Sequence, residues 1–108
     1  MKNSTPSCDL EDDLSEAAYC RYHRNVTKVQ LACRKEFYEL AQLLCDEANK
    51  IIKASPHRKH EAIDEANKQF DVLQETQRQK RDSLIEIESE KLNALLTKIS
   101  QYCEEKGY

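Results

Sequence analysis

At 108 residues the chain is sized for one domain, and 34% charged beside 39% apolar residues leaves little material for a broad globular core. Two phenylalanines, five tyrosines and no tryptophan argue against the large apolar pocket that small-molecule enzymes use. A net charge of −3 counts against a nucleic-acid-binding surface.

Glycine and proline end or bend helices most readily, and the chain holds one glycine, Gly107, and two prolines, Pro6 and Pro56. Pro56 is therefore the only strong breaker between Ser7 and Lys106. This pattern predicts an all-α fold, a long antiparallel helical hairpin of coiled-coil type. Residues 1–108 form a single helical domain: a flexible N-terminus over 1–8, a first arm over 9–54, a turn at 55–57 and a second arm over 57–106.

Along the first arm, Leu10, Leu14, Ala18, Tyr22, Val26, Val29, Cys33, Phe37, Leu40, Leu44, Ala48 and Ile51 recur every three or four residues and make one continuous stripe. From Val26 to Ile51 the steps run 3-4-4-3-4-4-3, closer to an eleven-residue repeat than to a heptad, which favours a nearly straight or slightly right-handed seam. Ala41, Leu43, Cys45 and Ile52 widen the stripe, as expected if more than one helix packs there. Asn25-Val26-Thr27 places three weak helix formers in a row, so a break here, giving a three-helix bundle, is the alternative architecture.

Ser55-Pro56 reads as a helix start, with the serine oxygen capping a backbone amide and proline at the first helical position. Proline also pushes Ser55 out of the helical region, which ends the first arm. In the second arm Ile63, Ala66, Phe70, Leu73 and Gln77 follow heptad spacing. The stretch from Gln74 to Ser83 then contains no apolar residue, and the apolar face resumes with Leu84, Ile85, Ile87, Leu92, Leu95, Leu96, Ile99 and Tyr102. A turn at Ser55-Pro56 places residues opposite one another when their numbers sum to about 111. Phe37 then faces Leu73 and Gln74, Val29 faces Asp82 and Ser83, and Cys8 lies near Cys103.

No motif for catalysis stands out. Glycine-rich phosphate loops are excluded, and cysteines and histidines without a pocket do not make a nucleophilic centre, so no enzyme activity is expected. The five cysteines include no Cys-x-x-Cys pair, and no breaker lies between Cys20 and Cys33 to make a hairpin stapled by paired cysteines. Cys20 with His23, and His57 with His60 and Asp64, offer incomplete ligand sets for zinc, so no metal and no cofactor is expected. No apolar run is long enough to span a membrane, and residues 1–20 lack a secretory pattern, which favours the cytoplasm or nucleus.

Charge is patterned. Asp9, Glu11, Asp12, Asp13 and Glu16 open the first arm, where acid suits the helix dipole. Lys50, Lys53, Arg58 and Lys59 surround the turn, and Lys28, Arg34, Lys35, Arg78, Lys80 and Arg81 form a basic belt. These features suggest a non-enzymatic helical interaction module, an adaptor, tether or scaffold subunit, which completes a four-helix bundle by dimerisation or with a protein partner. Leu43, Ile52, Ile85, Leu92, Leu96 and Ile99 are its expected partner-binding residues. The alternatives are a small chaperone or inhibitor that holds a partner's amphipathic helix, and a metal- or redox-responsive helical module.

Overall fold

The computed structural model describes the backbone of residues 6–107 and the side chains of residues 10–107. Two α-helices, α1 (Pro6–Ala54) and α2 (Lys59–Glu105), are joined through one 3-10 turn, Pro56–Arg58, and there is no strand among the described residues. The fold is the expected helical hairpin. Its α1 starts at Pro6 rather than Asp9, with proline at a first-turn position where its missing amide costs nothing. The chain divides into two units, one of residues Met1–Lys28 and Leu84–Tyr108 and one of Val29–Ser83, so both helices contribute to each.

The turn departs from expectation in one respect. Ser55 is extended (φ −144°, ψ 80°), but its side chain makes no capping hydrogen bond. The backbone does that work: the Ser55 amide donates to Ile51 O at 2.9 Å, and the Arg58 amide donates to Ser55 O at 2.9 Å. Pro56 has no amide to offer, and the Arg58 amide is already taken by the carbonyl, which leaves the hydroxyl little to cap. Ser55→Ala should therefore change stability by less than about 0.3 kcal/mol, against the roughly 0.5–2 kcal/mol of a working cap. Pro56→Ala, by contrast, removes the only strict breaker and should yield a domain-swapped dimer with an extended helix. Urea titration checks the first expectation and sedimentation the second; a large loss in Ser55→Ala would show that its hydroxyl caps after all.

The three-helix alternative is excluded, because α1 runs unbroken through Asn25-Val26-Thr27. Two of these weak helix formers have their polar groups satisfied in the helical state. Asn25 Nδ2 donates to Glu88 Oε1 at 2.9 Å, and Thr27 Oγ1 donates back to His23 O at 2.9 Å.

The antiparallel register matches the rule read from the sequence. In the first unit Tyr22 meets Ser89 and Glu11 meets Ser100, pairs that each sum to 111, while Asn25 with Glu88 sums to 113. In the second, Glu36 with Gln77 also sums to 113. Every residue of the α1 stripe from Leu10 to Ile51 is buried or half-buried. On α2 the seam shifts by one position at both ends. Ala62 (6% exposed) takes the place expected of Ile63 (39%), and Cys103 (1%) rather than Tyr102 (45%) closes it. A small side chain at these positions lets the helices approach; Ala62 and Ala66 share a crevice with Leu44, Ala48 and Ile51.

The core of the first unit is Ala18, Ile99 and Cys103, with Leu10, Leu14, Leu92, Leu95 and Leu96 packed against it. Burial, helped by the nearby Glu11 carboxylate, raises the Cys103 thiol pKa and keeps it protonated. The expected proximity of Cys8 lies outside the residues whose side chains are described. Cys20, Cys33, Cys45 and Cys103 are free thiols, with Cys33 and Cys103 buried. Beyond Glu105, where α2 ends, Gly107 has a φ of 75°, a left-handed conformation that glycine adopts without strain.

Candidate functional site

The second unit buries very little. Its buried residues are Cys33, Ala62 and Gln77, two of them small and one polar. Val29, Phe37, Leu40, Leu44, Ile51, Phe70 and Leu73 are only half-buried. A pair of helices covers one stripe on each member, and the remaining apolar side chains project from its flanks. Leu31 is 56% exposed, Tyr38 64%, Leu43 62% and Val72 67%.

Two surfaces flank this seam. On one, Leu40, Leu43 and Leu44 of α1 meet Val72, Leu73 and Thr76 of α2 to form a shallow groove with almost wholly apolar walls. The other is cationic. Gln30, Arg34 and Tyr38 of α1 face Gln74, Arg78 and Arg81 of α2 across an open groove of about 490 Å³, with Cys33, Phe37 and Gln77 completing its lining. No carboxylate lines it.

Gln77 is the polar layer of the seam. Its Nε2 donates to Glu36 Oε1 at 3.2 Å, while its Oε1 is buried with no hydrogen-bond partner. Glu36 is also reached by Lys80 Nζ at 2.7 Å. Hydrogen bonds from Lys80 first and Gln77 second hold the Glu36 carboxyl below its ordinary pKa, and the Lys80 ammonium is raised in turn by its bond to Glu36. Because Glu36 accepts from Gln77, the carboxamide orientation is fixed and its oxygen turns away from that carboxylate.

The basic belt read from the sequence is thus split. Lys80 is engaged by Glu36, whereas Arg34, Arg78 and Arg81 share the groove. Arg78 is held by Glu75 and by Asp82 (3.2 Å), and Arg81 also reaches Asp82 (3.3 Å). The bidentate contact from Arg78, followed by a bond from Gln79, lowers the Glu75 pKa to about 2. Arg34 has no ion pair or hydrogen bond among the described residues.

The expected partner-binding residues are dispersed. Leu43 is exposed, Ile52, Ile85, Leu92 and Leu96 are half-buried, and Ile99 at 8% belongs to the core. Leu92, Leu96 and Ile99 are first of all intramolecular, because Leu10, Leu14 and Ala18 of α1 lie on the same cluster. The exposed Leu31, Tyr38 and Val72 were missed; their legible signal is that they are large apolar residues lying off the stripe. Among the described residues no three of His, Cys, Asp and Glu converge as a metal site would require, so His57, His60 and Asp64 are not brought together. No helix of the described residues is long and apolar enough to cross a membrane. Comparison with protein-family models, curated protein sequences and solved structures gives no match.

Proposed function

We propose that the chain is a non-enzymatic helical interaction module, an adaptor, tether or scaffold subunit that works by burying the apolar flank of residues 29–83 on another helix. One observation carries this reading: the Val29–Ser83 unit buries no large apolar side chain while leaving Leu31, Tyr38, Leu43 and Val72 more than half exposed. Two further helices laid on these flanks would complete a four-helix core, the ordinary way in which such surfaces become covered. The apolar groove at Leu43 and Val72 gives specific support to a second reading, a holding protein that seats a partner's amphipathic helix there.

Solution mass separates the two: a scaffold associates by itself, while a holding protein stays monomeric until its client is added. Leu43→Glu combined with Val72→Lys should abolish the association or the client binding, because each places a charge where an apolar contact is required. Helicity should be unchanged, since both side chains are already mostly exposed. Unaltered mass and unaltered partner binding in the double variant would overturn the assignment of this face.

A further inference from the structure

The cationic groove poses a different problem from the apolar one. Three arginines share its lining without a carboxylate among them; Arg78 and Arg81 are paired outside it with Glu75 and Asp82, whereas Arg34 is unengaged. Arg34 calls for a neighbour that brings a carboxylate.

The chain carries such a surface itself. Asp12, Glu16 and Tyr19 follow one another at steps of four and three on α1 and are all exposed. Neither Asp12 nor Glu16 has an ion pair or hydrogen bond among the described residues. Their i,i+4 spacing sets two like charges on neighbouring turns, a mildly destabilising arrangement that a cation would relieve. The helix dipole does not account for them, because its effect fades within the first turn, while α1 begins at Pro6 and Glu16 lies well beyond that turn. Tyr19, 47% exposed, adds a phenolic hydroxyl and an aromatic ring at the end of this stripe, able to stack on or bond to a groove side chain.

We propose that the groove of Arg34, Arg78 and Arg81 receives the Asp12, Glu16 and Tyr19 stripe of a second copy of the chain. This deepens the interaction-module reading by naming a partner and a second contact chemistry. An α-helix fits between two antiparallel helices as a third member, and the aromatic rim at Tyr38 gives it an apolar shoulder. The unpaired Arg34 on one surface, flanked by Arg78 and Arg81, and the unpaired carboxylates on the other steer the encounter and select against like-charged partners.

The test uses the full chain in sedimentation velocity, with helicity followed alongside. Self-association should weaken by about tenfold or more between roughly 50 mM and 500 mM salt, as screening of exposed charges requires. Arg34→Glu alone, and Asp12→Arg with Glu16→Arg, should each sediment at lower mass while keeping full helicity. Mixing the two variants should restore association, because the reversed charges again complement one another between copies. Salt-insensitive association, unchanged association in either variant, or a mixture no better than its components would overturn the proposal. A parent chain that stays monomeric at low salt would overturn it too. The apolar-face reading fails separately, through Leu43→Glu with Val72→Lys, so a result in which only that pair matters removes the second-copy contact and leaves the module intact.

Discussion

Gln77→Leu should make the protein more stable, by about 1 kcal/mol or more, and raise the thermal midpoint by around 5 °C. The present side chain sits in the seam at 7% exposure with one good hydrogen bond and one orphaned oxygen. An unsatisfied buried acceptor costs roughly 1–3 kcal/mol and the bond from Gln77 to the charged Glu36 is worth about 1.5–3 kcal/mol, so the two nearly offset and the apolar burial of leucine decides the sign. Leucine removes the orphan and adds apolar burial, and Lys80 keeps Glu36 paired at 2.7 Å. Gln77→Glu should act in the opposite sense, because it sets a second carboxylate beside Glu36 inside the seam, where an unpaired charge is costly. Urea unfolding of the three proteins reads both signs, and a destabilised leucine variant would show that the amide contributes more than the geometry assigns it.

If the amide costs stability, its presence in the seam needs another reason. A polar layer tolerates only the register in which its partners meet, and here Glu36 on α1 and Gln77 on α2 supply that condition. Sliding the helices by one turn would break the bond and leave the buried Gln77 carboxamide with no partner at either end. The same layer accounts for the gap in the apolar pattern from Gln74 to Ser83. Cys33 can sit buried opposite a carboxamide because it is small, and Phe37 stays half-buried beside it.

The helices and their register could be read from the chain because both depend on one-dimensional facts. Pro56 fixes where the chain turns, and once the turn is fixed the cross-helix pairs follow by counting to within a couple of residues, as the Tyr22 to Ser89 and Glu11 to Ser100 contacts show. The α1 stripe was legible for the same reason. The seam of α2 was less so, since Ala62 and Ile63 differ by a single position, and hydropathy favours isoleucine where close approach requires alanine. The exposed apolar surface was least legible. Leu92, Leu96 and Ile99 look like surplus apolar surface in sequence, but the small Ala18 and Cys103 let that end of the hairpin close tightly enough to use them internally. The surplus falls instead on Leu31, Tyr38 and Val72, single residues whose isolation from any stripe hides them. The cationic groove required three dimensions, because Arg34 belongs to one helix and Arg78 and Arg81 to the other.

Ile99→Ala should be the most damaging conservative truncation in the Met1–Lys28 and Leu84–Tyr108 unit, costing about 2–4 kcal/mol. Ile99 is the one large buried side chain of that core; Ala18 and Cys103, its buried neighbours, are too small to collapse into the space it would leave. Shrinking it therefore removes apolar contact and leaves a cavity lined by Leu92, Leu95 and Leu96, whose positions are fixed by α1 across the seam. Ile87, 46% exposed, provides the control, and its truncation to alanine should stay within about 0.5 kcal/mol because it removes little packing. Amide hydrogen exchange locates the damage as well as sizing it: Ile99→Ala should accelerate exchange at residues 10–28 and 84–105 well before residues 29–83 respond, as two separately packed units require. Equal losses in the two alanine variants would mean that the seam passes through a different face of α2, and uniform exchange along both helices would mean that the two units unfold as one.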